Sequence, residues 1–328
     1  MFQLDKKIAN LQQYMAGQGW LQQNEAIAHT EVPGEGNMNF TLRIVTNQRS
    51  VIIKQSRDYV EKYPQVAAPV ERVTIEADFY KIIGHQKEIQ AQMPIIIALD
   101  RPNSIMLMED LGAGSDFTYL YKKGENIPKE ELTQLVDFVA SLHNSHSIAS
   151  IDQPIYNRNM RKLNHEHIFQ YPYLADNGIN LDDIIPGLQE AAIPFKENQA
   201  LKSALKEIGD LYLSDGQKLL HGDYFPGSWL RTASGIKVID PEFCFFGVPE
   251  FEVGVMVAHL EMAQQSPALI NQAIQHYQSK APLDLSLQQK FTAVEVLRRI
   301  MGLAQLPLAL DLEERIALLR SAAKALTN

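Results

Sequence analysis

The sequence predicts an α+β protein with two lobes, a small β-rich N-terminal lobe that holds one main helix and a larger, mostly helical C-terminal lobe. Three observations predict this. The chain has 328 residues, a length typical of two subdomains. Runs rich in β-branched residues are concentrated before residue 110, and apolar residues at helical spacing dominate after it. We therefore expect an N-terminal lobe at 1–110 and a C-terminal lobe at 111–328.

The N-terminal lobe is predicted to be a sheet with one helix. Two β-rich runs surround a polar tetrad in "FTLRIVTNQRSVIIK", which indicates a hairpin. Apolar residues then recur at helical spacing in "ERVTIEADFYKIIGHQ". Two further β-like runs, "MPIIIALD" and "SIMLMEDL", complete the lobe.

The C-terminal lobe is predicted to be helical with one hairpin. Helical periodicity is clear in "PKEELTQLVDFVASLHNSH", "EFEVGVMVAHLEMAQQ", "PALINQAIQHYQ" and "LQQKFTAVEVLRRIMGLAQL", and several of these segments open with proline. The strong β signals of this half are "WLR" and "IKVID", which "TASG" separates. They predict a hairpin.

Composition limits the partners and the setting. The net charge is -9 and no Lys/Arg block stands out, so we expect no nucleic-acid or anionic-membrane partner. The single cysteine, Cys244, cannot form an intramolecular disulfide, which fits a cytoplasmic protein. The N-terminus has no apolar signal core, and the apolar stretches are too short to cross a bilayer. The oligomeric state stays open, with a homodimer as one option.

The segment "LLHGDYFPGSWLRTASGIKVIDPEF" carries two carboxylate clusters. The predicted hairpin places Asp223 before one strand and Asp240 at the end of the other, which brings both to one edge. Such a pair suits phosphoryl transfer, because one carboxylate takes the proton of the attacking hydroxyl while another holds Mg²⁺ against the phosphates. Taken separately, the two strings also fit an ordinary turn and a strand end. Taken together, they favour a kinase.

The same loops, "HGDYFPGS" and "VIDPEF", resemble the catalytic and metal-binding loops of the aminoglycoside phosphotransferase superfamily, and within it those of methylthioribose kinases. Further segments resemble, in the family's order, its phosphate-covering hairpin, Lys-Gln strand, glutamate helix, hinge and paired-arginine helix: "GEGNMNF", "IIKQSRDYV", "ERVTIEADF", "MEDL" and "LRRIMGLA". Glu252 stands where the family usually has Asp. The resemblance implies a protein-kinase-like fold with ATP and Mg²⁺ as cofactors.

This resemblance implies roles for residues of the two loops. Asp223 would be the catalytic base. Asp240 and Glu242 would hold Mg²⁺, with Ser228 as a further ligand where most kinase-like enzymes carry Asn. A carboxylate oxygen at Glu242 would supply the hard ligand that Mg²⁺ prefers.

Nucleotide binding is expected in the N-terminal lobe. Strand alternation puts Lys54 on the buried side, where it needs a counter-charge, and Glu76 on the next helix is the natural partner. Such a pair would position the α- and β-phosphates. A solvated edge lysine is the alternative. The other expected nucleotide-binding residues, in the phosphate-covering segment and the hinge backbone, are Gly36, Asn37, Asn39, Glu109 and Leu111.

Arg298 and Arg299 lie in "LRRIMGLA", about 100° apart around the predicted helix. The resemblance implies that at least one of them contacts the acceptor or the transferring phosphoryl group. The alternative is an ordinary surface ion pair with Glu295, which precedes them by three and four residues.

The predicted function is an ATP- and Mg²⁺-dependent phosphotransferase for a hydroxyl of a small metabolite, with a methylthioribose-like sugar as the first candidate. Two alternatives are kept. One is a kinase of the same fold for an aminoglycoside, choline or an amino alcohol, and the other is a nucleotide-binding pseudokinase that acts as an interaction module. "YFP" beside Asp223 and "SRDYVEK" after the Lys-Gln pair depart from the family and bear on the acceptor pocket.

Overall fold

The structure is a computed structural model that describes residues 2–34 and 38–328. The chain forms two compact units, one of Met1–Ser115 with Arg231–Cys244 and one of Asp116–Leu230 with Phe245–Asn328. The first contains an antiparallel sheet and the second is mainly helical. The predicted α+β class is confirmed.

The strands are β1 (Ile27–Glu31), β2 (Phe40–Thr46), β3 (Ser50–Gln55), β4 (Tyr59–Val60), β5 (Tyr63–Ala67), β6 (Ile96–Asp100), β7 (Ile105–Glu109), β8 (Ser115–Asp116), β9 (Lys218–Leu220), β10 (Trp229–Thr232), β11 (Gly235–Val238) and β12 (Phe245–Gly247). The helices are α1 (Ile8–Gly17), α2 (Arg72–Ile83), α3 (Lys87–Gln90), α4 (Lys129–Ser145), α5 (Arg158–His165), α6 (Leu188–Glu197), α7 (Gln199–Leu213), α8 (Pro249–Met262), α9 (Pro267–Gln278), α10 (Leu285–Met301) and α11 (Leu312–Thr327). None of the described helices is long and apolar enough to span a membrane.

The sheet of the first unit has the order β1-β2-β3-β7-β6, and every neighbouring pair is antiparallel. Burial alternates along β2, as its period-two pattern requires. Leu42 and Ile44 of β2 join Ile53 of β3 in a core that also takes in Leu11 and Met15 of α1. The helix α2 packs against β6 and β7. The sheet thus provides a rigid frame for the side chains of β3.

Residues 231–244 belong to the first unit, although a linear boundary after residue 110 assigned them to the second lobe. The amide of Val238 donates to the Gln92 carbonyl at 2.7 Å, and Lys237 Nζ donates to the Ala91 carbonyl at 2.6 Å. These hydrogen bonds tie β11 to the segment that follows α3. The chain therefore leaves the second unit after Leu230, contributes residues 231–244 to the first unit, and then returns to the second.

The second unit is organised around α8, which is buried over most of its length, and α10 packs against both α8 and α11. Gly254 permits the contact between α8 and α10, because a Cβ there would lie 2.7 Å from Cβ of Phe291. The strands β9 and β12 pair antiparallel, with Leu220 opposite Phe245. The loop that follows β9 therefore leaves from a fixed point beside these helices.

Candidate active site

Lys54 and Glu76 form a buried ion pair in the first unit. Lys54 Nζ lies 2.8 Å from Oε2 and 3.0 Å from Oε1 of Glu76, and the two side chains are 5% and 0% exposed. Lys54 sits on β3 and Glu76 one turn into α2, so the sheet and the helix fix the pair from two sides. The structure thus brings together the two residues that the sequence paired.

Asp240 is the second partner of Lys54. Its Oδ1 lies 2.5 Å from Lys54 Nζ, and 47% of the Asp240 side chain is exposed. The backbone of Asp240 is left-handed, with φ of 63°, and Pro241 follows at once, so the chain turns sharply after β11. Burial lowers the pKa of Lys54, but the carboxylates of Asp240 and Glu76 outweigh that effect and hold the pKa above its ordinary value. The ammonium therefore stays charged.

Glu242 is held by groups of its own unit. Asn39 Nδ2 donates to Glu242 Oε2 at 3.0 Å, and Arg72 Nε lies 3.2 Å from the same oxygen. Glu242 is 5% exposed, so the expected metal ligand is already engaged by side chains of the protein. Asn39 is likewise committed, since its Oδ1 accepts from Arg72 Nε at 3.1 Å. Gly36 and Asn37, expected at the phosphates, lie outside the described residues.

Arg72 is a residue that the sequence reasoning missed. Its side chain is fully buried at the first position of α2. Besides its contact with Asn39, it donates to the carbonyls of Met38, Arg57, Tyr59 and Pro69. A fully buried guanidinium is uncommon, and this pattern of donors ties Met38, next to Asn39, to the backbone around residues 57–59 and 69. The signal available in the sequence was only an arginine four residues before Glu76.

The hinge segment follows β7. The Glu109 amide donates to the Ile95 carbonyl at 2.8 Å, and the Glu109 carboxylate accepts from the Ile95 amide at 3.1 Å. The Glu109 amide is therefore already paired. The Leu111 amide, by contrast, donates no hydrogen bond within the part of the chain that the structure describes.

The Asp110 side chain is anchored by Arg43 and Ser50. Its carboxylate accepts from Arg43 Nε at 2.8 Å and NH2 at 3.0 Å, and from the Ser50 hydroxyl at 2.5 Å. Arg43 also donates to the Gly112 carbonyl at 3.0 Å. Burial raises the pKa of Asp110, but these donors outweigh it and the pKa lies below its usual value. A bidentate arginine thus fixes the backbone on both sides of Leu111.

The loop that carries Asp223 begins directly after β9 in the second unit, and Glu252 of α8 holds its backbone. Glu252 Oε1 accepts from the Gly222 amide at 2.7 Å, and Oε2 accepts from the His221 amide at 3.1 Å and lies 2.9 Å from His143 Nε2. Burial raises the pKa of Glu252, yet its donors, led by His143, hold that pKa below the ordinary value. Glu252, which stands where the family usually has Asp, therefore holds the loop with both of its carboxylate oxygens.

Tyr224 and Phe225 of the "YFP" stretch pack inside the second unit. Tyr224 is buried and its hydroxyl donates to the Leu135 carbonyl at 2.8 Å. The Phe225 ring lies 5.0 Å from Arg299 Cζ, a cation–π geometry. Gly227 makes room for this ring, because a Cβ there would be 2.5 Å from Phe225 Cζ. The unusual residues beside Asp223 thus form a support for the arginine.

Ser228 closes the same loop. Its hydroxyl donates to the Asp223 carbonyl at 2.8 Å, and the residue is 3% exposed. The hydroxyl hydrogen is therefore committed to the loop, and only the lone pairs of the oxygen remain for a ligand. Ser228 belongs to the second unit, whereas Asp240 and Glu242 belong to the first.

Arg299 and Arg298 both face buried groups. Arg299 NH2 lies 3.7 Å from Asp223 Oδ1, and Glu295 binds the Nε of both arginines, at 2.5 Å from Arg298 and 2.8 Å from Arg299. Glu295 is 1% exposed, so the interpretation as an ordinary surface ion pair is wrong. Burial raises the pKa of Asp223 above its ordinary value, although Arg299 and Arg298 act to lower it. The Asp223 side chain keeps 24% exposure, as a group that meets a substrate requires.

Most of the chain matches a known protein family. The family described as the phosphotransferase enzyme family (APH) matches residues 31–287. The chain belongs to this family. The resemblance inferred from the loops around Asp223 and Asp240 is thereby confirmed.

Relatives within the phosphotransferase family include methylthioribose kinases. Methylthioribose kinase 1 of Oryza sativa subsp. japonica is 27% identical over 256 residues, which cover 73% of this chain and 57% of that protein. The match thus spans less than two thirds of the rice protein. A methylthioribose kinase of Bacillus cereus is 25% identical over 348 residues, covering 92% of this chain and 85% of the relative.

Solved structures of similar fold include other phosphotransferases. Choline kinase LicA from Streptococcus pneumoniae has a TM-score of 0.56 at 13% identity, over 97% of this chain and 98% of that one. Spectinomycin phosphotransferase APH(9)-Ia, in complex with ADP and spectinomycin, has a TM-score of 0.54 at 15% identity, over 98% and 97%. At these identities the likeness shows the fold.

The magnesium that the phosphotransferase resemblance implies fits the charge of the first unit. Three carboxylates, those of Glu76, Asp240 and Glu242, meet two cations, Lys54 and Arg72. Asp240 is the exposed member and offers hard oxygen to a cation. Among the described residues no three acidic, His or Cys side chains form a complete metal site.

Proposed function

We propose that the protein is an ATP- and Mg²⁺-dependent kinase that phosphorylates a hydroxyl of a small metabolite. The observation that carries the proposal is Lys54 Nζ, which contacts Glu76 of a helix and Asp240 of a loop at once. In kinases a lysine held by a helix glutamate positions the nucleotide phosphates, and a loop aspartate meets the metal. Membership of the phosphotransferase family supports the same chemistry.

In this proposal Asp223 acts as the base. Its carboxylate accepts the proton of the acceptor hydroxyl while that oxygen forms a bond to the γ-phosphorus, the bond from this phosphorus to the β–γ bridging oxygen breaks, and ADP leaves. Arg299, 3.7 Å from the carboxylate, favours its ionised form before the transfer. Bound Mg²⁺ would neutralise phosphate charge, with Asp240 as the main protein ligand and Glu242 and Ser228 as weaker ones.

The leading acceptor is 5-methylthioribose, phosphorylated on its 1-hydroxyl. The named methylthioribose kinases among the relatives support this choice. Arg298 and Arg299 support it as well, because guanidinium groups donate to sugar oxygens and repel a cationic acceptor such as choline or an aminoglycoside. The fold itself does not separate these acceptors, since a choline kinase and a spectinomycin phosphotransferase share it.

An ADP-release screen with Mg-ATP tests the proposal. The acceptors are 5-methylthioribose, ribose, choline, ethanolamine and an aminoglycoside, each assayed with wild-type protein and with Asp223→Asn. We expect the highest kcat/KM for 5-methylthioribose and loss of that signal in the variant. Turnover of choline or the aminoglycoside instead would support the alternative kinases. ATP binding without turnover of any acceptor would support the pseudokinase.

A further inference from the structure

Glu295 occupies the centre of a buried polar cluster in the second unit. Its Oε1 accepts from Arg299 Nε at 2.8 Å and lies 2.9 Å from His259 Nε2, and its Oε2 accepts from Arg298 Nε at 2.5 Å. The carboxylate is 1% exposed. One buried side chain thus contacts both arginines and a histidine of the neighbouring helix α8. Removing its charge would leave the two guanidiniums without their common partner.

His259 of α8 binds the same oxygen of Glu295 as Arg299 does. It is fully buried, and burial lowers its pKa to about 4 even though Glu295 acts to raise it, so the imidazole is neutral. Its Nδ1 lies 2.5 Å from the Tyr121 hydroxyl. A neutral ring that accepts from Tyr121 at Nδ1 must donate from Nε2, and the acceptor there is Glu295. Glu295 is therefore held by one donor from α8, His259, in addition to the two arginines of its own helix, and Tyr121 orients that histidine.

The terminal nitrogens of Arg298 and Arg299 differ in their protein contacts. Arg299 NH2 lies 3.7 Å from Asp223, and its NH1 donates to the Ala304 carbonyl at 3.3 Å. The terminal nitrogens of Arg298 make no hydrogen bond to any residue within 2–34 and 38–328. The Arg298 side chain is 12% exposed, and its terminal nitrogens have no protein acceptor among the described residues.

We propose that Glu295 is a positioning residue that assigns the two arginines to different tasks, Arg299 to the Asp223 carboxylate and Arg298 to oxygen atoms of the acceptor. This inference rests on the proposed kinase function. Because Glu295 binds both Nε atoms, it sets the plane of each guanidinium and leaves each terminal pair of nitrogens aimed away from it. Loss of the carboxylate frees both side chains to rotate, and loss of orientation is costly in a site built for transfer.

Steady-state kinetics of Glu295→Gln, which keeps the shape and removes the charge, give the first test. With 5-methylthioribose as acceptor we expect kcat/KM for the acceptor to fall about tenfold or more, as coupled neighbours give, while KM for ATP changes little. A merely structural role would lower the active fraction and leave both KM values unchanged. The matched control is Glu313→Gln, an exposed glutamate in the first turn of α11, which should behave as wild type.

A double variant separates action through the arginines from any other effect. If Glu295 works by orienting Arg298, then Glu295→Gln should have a smaller effect on acceptor kcat/KM in an Arg298→Ala background than in the wild type. Effects that multiply fully in the double variant would overturn the proposal.

A readout without acceptor keeps this test independent of the proposed substrate. Phenylglyoxal modifies accessible guanidinium groups, and mass spectrometry can follow Arg299 against Arg158, whose side chain is 58% exposed and serves as the internal reference. We expect slow modification of Arg299 in the wild type and faster modification in Glu295→Gln. An unchanged ratio overturns the proposal, whereas absent methylthioribose turnover with a changed ratio contradicts only the proposed acceptor.

Tyr121→Phe covers the case in which Glu295→Gln does not fold. It removes one hydroxyl from the far side of His259 and leaves the ion pairs in place. We expect a smaller change in the same direction for both acceptor kcat/KM and Arg299 modification. Wild-type values for both measurements would contradict the role assigned to Glu295.

Discussion

Glu76 of the first unit and Glu295 of the second are both fully buried, and their environments differ in charge balance. Glu76 in the first unit shares Lys54 with Asp240, and burial raises its pKa to about 8 although Lys54 opposes this. Glu295 in the second unit contacts two arginines; burial raises its pKa too, but Arg298 and Arg299 hold it well below the ordinary value. Equal burial thus gives opposite results.

The difference shows that the number of nearby cations, and not burial alone, decides the charge of these sites. The first cluster carries more carboxylates than cations, which prepares it for a further cation. In the second cluster the charges of Glu295 and Asp223 are matched by those of Arg298 and Arg299. A balanced cluster can hold its geometry before any ligand binds. In the proposed kinase the first cluster would be completed by metal and nucleotide, whereas the second is already held together by its own residues.

Asp223→Asn should give the largest effect on activity. It should also separate the two clusters most clearly, because it alters only the second. We expect turnover to fall by about 10²–10⁴-fold, as for loss of a general base, with ATP affinity nearly unchanged because the first cluster is intact. Turnover by ADP release and ATP affinity by calorimetry measure the two quantities. Unchanged turnover would remove Asp223 from the mechanism.

Glu76→Ala should show how strongly the first cluster depends on its buried pair. Removing one partner leaves Lys54 buried, and we expect a loss of about 3 kcal/mol in the free energy of unfolding, at the lower end for such pairs because Asp240 remains. Urea unfolding measures it. The control is Asp78→Ala, which breaks the exposed pair with Arg101 and should cost about 1 kcal/mol or less. Equal losses would contradict the importance of burial.

The Mg²⁺ dependence of activity in three variants tests which side-chain oxygen atoms bind the cation. Asp240→Asn should raise the Mg²⁺ concentration for half-maximal activity by about tenfold or more. Glu242→Gln should act less, since Oε2 of Glu242 is already engaged by Asn39 and Arg72. Ser228→Ala should act least, because a hydroxyl is a weaker ligand than a carboxylate for a hard cation. A larger effect at Ser228 than at Asp240 would reverse this order.

The fall of the free energy of unfolding at acid pH should depend on Glu295. This is the smallest effect that we expect. The folded pKa of Glu295 lies below its unfolded value, so its contribution is complete above about pH 4.5 and is lost as pH falls through the folded pKa. In Glu295→Gln this loss is absent, and unfolding free energy should fall less steeply with acid than in the wild type. Urea unfolding between neutral pH and about pH 3 compares the slopes. Parallel slopes would mean that Glu295 does not titrate differently in the two states.

Local patterns in the sequence were enough to predict the elements that carry the site. The hairpin of β2 and β3 and the helix α2 follow from periodicity, and the Lys54–Glu76 pair follows from their faces. The role of Glu252 could not be predicted, because a carboxylate that accepts backbone amides thirty residues away leaves no local pattern.

Buried arginines were the other limit. Arg72 and Arg299 sit among polar neighbours at ordinary helical spacing, and such spacing is equally typical of solvated ion pairs. Their burial depends on contacts far along the chain, for example those of Arg72 with Asn39 and of Arg299 with Asp223. Return of residues 231–244 to the first unit was missed for the same reason, since a boundary read along the chain assumes that each lobe is continuous.

The helix α8 also acts as a spacer of fixed length. Glu252 and His259 are seven residues apart, two turns on one face, which sets them about 10 Å apart along the axis. One end of this interval holds the backbone of the Asp223 loop and the other holds the anchor of the two arginines. Insertion or deletion of a single residue between them would rotate one end by about 100°. The spacing between the Asp223 loop and the anchor of the two arginines is therefore sensitive to any change in the length of α8.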